Sequence, residues 1–298
     1  MRKLRILYVL SAPGVGGAQN YVETAVRCLG QMGYRTAVVC NDEPALLARY
    51  APCAELFPIP IVLGLSPWTD LRFFLRLLRL LRRERFDVVQ TSAAKASLYG
   101  RLAARLAGVP VVIFRAGGFP FHGFMHPVLQ WILVTLEKAM SRWCGDMVVS
   151  VSEEDRRDVV ARGIIPADRI RTIPNGTSAH RPMPDRHEAR RALGLDAQVP
   201  VVGMVGRLSR QKSPDDFLRA AALVAREIPH AAFLLVGDGP MRGALERQAA
   251  ELGIAGQVRF LGVRNDIPLV MAALDVFALA SLWEGVPFSI LEAMAAGK

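Results

Sequence analysis

Short apolar runs alternate along this chain with longer stretches in which apolar residues recur every three or four positions. The runs Leu4–Leu10, Arg35–Cys40, Val88–Thr91, Val109–Phe114 and Met147–Val151 suit buried strands. Between them, Ala18–Met32, Ala45–Tyr50, Leu71–Arg83, Lys95–Ala107 and Pro127–Trp143 carry the helical period. Ser152, with Asp155 three positions on, predicts a capped helix start. The alternation then resumes, with strands over Val199–Val205, Ala231–Val236, Val258–Leu261 and Val276–Ala280. Helices are expected over Pro214–Arg226, Met241–Leu252, Val270–Leu274 and Phe288–Ala296. Such alternation predicts an α/β protein with parallel sheets covered on both faces. Between the two series, Ile173–Gly176 reads as a turn, followed by a polar segment with Pro182, Pro184 and a charged helix near His187–Leu193. The predicted domains are therefore residues 1–175 and 176–298.

Composition sharpens this picture. The chain has 298 residues and is 52% apolar, enough for two cores of ordinary size. No apolar run reaches the length of a membrane span. The run Ile6–Leu10 is shorter than a signal-peptide core and leads into a glycine loop, so it reads as a first strand. Cys28, Cys40, Cys53 and Cys144 are scattered, which fits a reducing cytoplasm rather than a disulfide frame or zinc site. His122 and His126 have i, i+4 spacing, but Gly123 and Pro127 argue against a regular helix and no acid is near. Residues 1–174 hold 23 basic against 14 acidic residues, nine of the ten net positive charges of the chain. A basic half suggests an anionic partner. No aromatic-basic module of the kind that binds nucleic acid is visible.

Four stretches carry candidate chemistry. The glycines Gly14, Gly16 and Gly17 follow the first strand, but Gln19 stands where the dinucleotide fingerprint needs its third glycine, so NAD is not expected. Arg115–Gly123, RAGGFPFHG, follows a strand in the first half. In the second half, Gly206–Ser213 reads GRLSRQKS; an arginine fork and a lysine point charge there can neutralise a diphosphate. The last stretch, Trp283–Gly297, reads WEGVPFSILEAMAAG. Glu284 sits in a loop and Glu292 about one turn into the helix that follows, with Ser289 and Glu292 spaced as a capping pair. Two solvated acids on an amphipathic helix would give the same pattern.

The last stretch resembles the Glu-x7-Glu signature of retaining GT-B glycosyltransferases, family 4. The GRLSRQKS loop and the opening glycines resemble the same family, and the resemblance runs over essentially the whole chain. It implies two Rossmann-like domains with parallel sheets facing a cleft, an acceptor-side domain first and a nucleotide-sugar domain second. It implies a hexosyl transfer, with retained configuration, from a UDP- or GDP-linked sugar to a glycan or lipid-linked acceptor. Arg207 and Lys212 would clamp the diphosphate, Glu284 would contact the donor sugar, and Glu292 the ribose. Gly16, Gly17 and Gly206 would approach the donor, and main chain at Gly262, Val263 and Arg264 would hold the base. On the acceptor side stand Arg115, Gly117 and His122; Gly117 occupies the place of a histidine in many members. No Asp-x-Asp motif is present, so no metal or other cofactor is expected. Family members continue beyond the position of Lys298, so the second domain is expected to be incomplete. A non-catalytic sugar- or membrane-binding module, or a nucleotide-sugar epimerase of the same fold, would share these features.

One helix adds a further expectation. In Leu71–Arg83, the residues Arg72, Arg76, Arg79 and Arg83 fall on one stripe, and nearly all others are Leu or Phe. That profile suits an interfacial helix on an anionic membrane, and equally a sheet-packed helix with a solvated arginine face. The expected location is cytoplasmic, with membrane association if the first reading holds.

Overall fold

The computed structural model describes residues 3–10, 16–62, 64, 66–92, 94–119, 125–177 and 183–298. It divides into two compact units, Met1–Asn175 and Gly176–Lys298.

In the first unit the strands are β1 (Arg5–Leu10), β2 (Arg35–Cys40), β3 (Glu55–Pro58), β4 (Val88–Ser92), β5 (Val111–Ala116), β6 (Met147–Ser150) and β7 (Ile170–Thr172). They form one parallel sheet in the order β3-β2-β1-β4-β5-β6-β7. Its helices are α1 (Gly17–Gln31), α2 (Pro44–Tyr50), α3 (Pro67–Glu84), α4 (Ala94–Leu106), α5 (Pro127–Trp143) and α6 (Glu153–Ala161). β1 is central, and after Arg5 it is apolar to its end because both faces are covered. Leu7 and Val9 join Phe73, Leu77 and Leu81 of α3, while Ile6 and Tyr8 join Val22 and Val26 of α1. The chain reverses its direction of growth between β1 and β4, the switch point beside which open α/β sheets bind ligands.

The second unit repeats the plan at smaller scale. Helix α7 (Arg186–Ala192) precedes β8 (Val201–Val205), α8 (Pro214–Glu227), β9 (Ala232–Val236), α9 (Arg242–Glu251), β10 (Val258–Gly262), α10 (Ile267–Ala273), β11 (Val276–Phe277) and α11 (Phe288–Ala295). Its parallel sheet has the order β10-β9-β8-β11. Phe217 and Leu218 of α8 pack on Phe233 and Leu235; Val270 and Met271 of α10 pack with Leu234 and Val236 on the other face.

The sequence pattern missed β3 and β7. Both are short edge strands, where half-burial and a terminal proline in β3 or a central arginine in β7 blur the apolar signal. β11 pairs over two residues rather than five. Ser152 does cap α6, accepting from the Asp155 N–H at 3.3 Å. At α11 the capping pair is not made: Pro287 is the N-cap, Ser289 lies inside the helix, and no side chain caps it. The proline fixes the entry, so the helix begins one residue before Ser289.

Candidate active site

Ligands of α/β sheets collect at the carboxyl ends of the strands, because loops leave the sheet there and helix N-termini point at them. In the second unit three such loops converge. The loop after β8 carries Gly206–Lys212; the loop after β9 carries Gly237–Met241; the loop after β11 carries Leu282–Glu284.

The first two are locked main chain to main chain. Gly206 N–H donates to Val236 C=O at 2.9 Å, Leu208 N–H to Asp238 C=O at 3.0 Å, and Met241 N–H to Leu208 C=O at 3.1 Å. A Cβ on Gly237 would stand 2.0 Å from the Gly206 carbonyl oxygen, and Gly237 has φ of +131°. Any side chain there would force the two loops apart. This contact fixes the backbone from which Arg207 projects. The Arg207 side chain is exposed and holds no carboxylate among the described residues.

The third loop is held by Gln211, which the sequence reading passed over. Its side-chain amide donates to Trp283 C=O at 3.1 Å, and its own carbonyl accepts from Leu282 N–H at 2.8 Å. The next residue, Lys212, pairs through Nζ with Oε1 of Glu284, 72 positions away in sequence. Both side chains are mostly buried, 16% and 19% exposed. Lys212 lies in a short 3-10 turn that ends at Ser213, a non-glycine residue at φ of +45°. Such a conformation costs on the order of 1–3 kcal/mol and persists where surrounding contacts impose it. Here the Ser213 hydroxyl donates to Asp216 at 2.6 Å. Two residues selected separately, one as a phosphate cation and one as a sugar-binding acid, therefore meet at one point.

The remaining second-unit candidates are spread more widely. Glu292 lies in the second turn of α11, half-buried, and lines a small cavity with Thr177, Met183, Ile267, Pro268 and Met271. Gly262 ends β10 at φ of +67°, and its carbonyl accepts from Gly237 N–H at 2.8 Å. Val263 is exposed. Arg264 is held in a fork by Asp266, at 2.8 and 2.6 Å. That hydrogen bonding raises the Arg264 guanidinium and lowers the Asp266 carboxyl relative to their ordinary values.

In the first unit, Gly16 is the extended N-cap of α1 and Gly17 its first residue, with no capping side chain. Arg115 ends in a buried position, 3% exposed, its guanidinium 3.7 Å above the Tyr21 ring and donating to Asn175 Oδ1. Burial, opposed by the Tyr21 hydroxyl, lowers its pKa. Gly117 lies beside it; a Cβ there would be 3.8 Å from Nη1 of Arg115. His122 lies outside the described residues. His126 instead accepts the Val128 N–H at the start of α5. Among the described residues no three His, Cys, Asp or Glu side chains gather as metal ligands.

Residues 15–181 match the family described as Glycosyltransferase Family 4, and residues 185–298 match Glycosyl transferases group 1. The chain belongs to glycosyltransferase family 4. It is a hexosyltransferase that draws on nucleotide-sugar donors. A curated relative from Escherichia coli, UDP-Gal:alpha-D-GlcNAc-diphosphoundecaprenol alpha-1,3-galactosyltransferase, is 30% identical over 99% of this chain and 78% of its own length. A GDP-mannose-dependent alpha-(1-6)-phosphatidylinositol monomannoside mannosyltransferase from Mycobacterium tuberculosis is 28% identical over 98% of this chain and 78% of its own. The crystal structure of Anabaena HepE in complex with UDP-glucose superposes with a TM-score of 0.82 at 23% identity, covering 99% of this chain and 79% of that one. This likeness identifies the family 4 chain as a GT-B fold with two parallel sheets, of seven and four strands.

Proposed function

We propose that this family 4 enzyme transfers a hexose from a UDP-sugar to a lipid-linked diphosphate acceptor, with retention of anomeric configuration. The observation that carries the reading is the meeting of Lys212 and Glu284 beside Arg207 at the strand ends of the second sheet. A nucleotide-sugar needs cations at its diphosphate and acceptors at its sugar hydroxyls within one sugar's reach, and this pair supplies both. The E. coli relative supports the UDP donor and the lipid diphosphate by name, and its alpha product retains the configuration of UDP-galactose.

In this reading residues 176–298 form the donor domain and residues 1–175 the acceptor side. The bond from the anomeric carbon to the diphosphate oxygen breaks, and the acceptor hydroxyl oxygen bonds to that carbon on the same face. The hydroxyl proton passes to the departing diphosphate. Arg207 and Lys212 stabilise the charge that develops there, Glu284 holds the sugar hydroxyls, and Glu292 the ribose. Gly16, Gly17 and Gly206 give main chain close access to the donor. The main chain at Gly262, Val263 and Arg264 contacts the base. Arg115 is a buried guanidinium without a carboxylate among the described residues, suited to orienting an anionic acceptor.

The test is a transfer assay with UDP-galactose, UDP-glucose, UDP-N-acetylglucosamine and GDP-mannose, each with and without a polyprenyl-diphosphate sugar. A UDP-hexose should be consumed only when acceptor is present, giving an α-linked product by NMR. Conversion of the donor without acceptor would replace this reading with an epimerase, and a β-linked product would end the same-face mechanism.

A further inference from the structure

The helix α5 is apolar on both its inward and its outward side. Val128, Leu129, Trp131, Ile132, Leu136 and Trp143 share one arc of its circumference, and all are exposed. Trp131 is 68% and Trp143 72% exposed. The side turned inward holds Met140 in the core, with Leu133 and Val134 packed beside it, and one acid: Glu137 takes a bidentate fork from Arg101 of α4 at 2.8 and 2.7 Å, and the Ser141 hydroxyl at 2.7 Å. A helix that satisfies its acid inward and leaves two tryptophans outward has its rotation fixed by that pair.

Its neighbours extend the pattern. α3, α4 and α5 are successive crossovers running the same way along the first sheet, and so lie on one face of it. α3 packs on the core through Phe73, Leu77 and Leu81, and turns Trp68, Leu71 and Leu75 outward among its arginines. The acids of this layer are all taken: Asp70 by Lys95, Glu84 by Arg5 and Arg83, and Glu137 by Arg101. Arg72, Arg76, Arg79, Arg105, Lys138 and Arg142 have no carboxylate partner among the described residues. The residues outside the description contain no acid.

We infer that this helical layer docks the enzyme on an anionic lipid bilayer, with the exposed arc of α5 seated at the headgroup level and the α3 arginines against lipid phosphates. Tryptophan with flanking cations is what such an interface selects. A second copy of the chain fits less well, because a two-fold contact would set these unpaired cations against one another. The inference stands apart from the choice of acceptor, since the lipid surface rather than the reacting hydroxyl is the ligand.

Sedimentation with phosphatidylcholine vesicles, with and without phosphatidylglycerol, tests it in the absence of donor and acceptor. The parent should bind the anionic vesicles, and binding should weaken as salt rises. Arg72→Gln with Arg79→Gln should lower partitioning about fivefold per arginine. Trp131→Ser with Trp143→Ser should lower it about tenfold or more, with an unchanged melting temperature. A blue shift of tryptophan emission on vesicle addition should disappear in the same variant. Equal binding to neutral and anionic vesicles overturns the proposal. So does parent-like binding by the tryptophan variant, or self-association of the parent without vesicles that this variant loses.

Discussion

Two ion pairs, one in each unit, tie distant parts of the chain, and they differ in what they leave unused. Arg101–Glu137 joins two helices, α4 and α5, with side chains 3% and 11% exposed. Its guanidinium also donates to Ser97 C=O and lies 4.5 Å from the Phe114 ring centroid. Every strong contact of both groups is spent on the protein. Lys212–Glu284 joins two loops at strand ends and makes a single contact. Two donors of the lysine and the second oxygen of the glutamate meet no described partner. A saturated pair can only hold the fold together, whereas an unsaturated pair at a sheet's carboxyl edge can turn toward a ligand. Burial and pairing alone do not separate structure from chemistry; spare hydrogen-bonding capacity and location do.

Cutting the saturated pair should give the largest effect. Arg101→Ala leaves a buried carboxylate uncompensated, which costs about 3–5 kcal/mol. The melting temperature of the first unit should fall by roughly 10 °C. Arg101→Met combined with Glu137→Leu should recover most of that loss, because an apolar pair of similar volume replaces both charges. Thermal melts followed by circular dichroism decide it. A single variant that melts like the parent would show that the pair is not structural.

The unsaturated pair should behave the other way round. Glu284→Gln keeps the shape but removes the charge, and should lower turnover of the nucleotide-sugar by about a hundredfold or more while stability falls by about 1–3 kcal/mol, less than for Arg101→Ala. Lys212→Ala should follow it. Arg207→Ala, which removes an exposed cation on a rigid loop, should lower kcat/KM by roughly tenfold. Steady-state rates and melts on the same preparations check this; parent-like rates for both Glu284→Gln and Lys212→Ala remove the proposed site.

Much of the scaffold was legible from the residue pattern, because buried parallel strands are uninterrupted apolar runs and the helices between them keep their period. The edge strands β3 and β7 were not, since half of each faces away from the core. Lys212 and Glu284 were each legible from the text around them. Their meeting was not, because 72 residues separate them and no local rule encodes a contact between two loops. Gln211 left no signal; its role exists only once both loops have folded. Arg101 and Glu137 were invisible as well: each is one of three charged residues in its helix, and nothing local marks which of them meets a partner 36 positions away. In Leu71–Arg83 the arginine stripe was legible, yet the more apolar exposed surface lies on α5. There apolar residues occupy both sides of the helix, and the inward-facing Glu137 and Ser141 mark which side turns outward.

A third pair, Arg264–Asp266, gives the smallest effect and completes the contrast, because it is local: two positions apart, just after β10. The Arg264 hydrogen bond holds the Asp266 carboxyl below its ordinary value. A depressed acid contributes stability above its unfolded pKa, about 3.9, and loses it as pH falls through the lower folded value. The side chains are 28% and 45% exposed, so solvent screens the pair and its contribution should stay under about 1 kcal/mol. Asp266→Asn should therefore be slightly less stable than the parent at about pH 7, and the gap should close in acid, below about pH 4. Raised salt should narrow it as well. The same substitution frees Arg264 beside the main chain proposed to hold the base, so UDP affinity should shift although the fold barely responds. Urea titrations at both pH values, with UDP binding measured by calorimetry, separate the two roles. A stability gap that widens on acidification contradicts a depressed Asp266 carboxyl, and unchanged UDP affinity removes Arg264 from the donor site while leaving Lys212 and Glu284 in it.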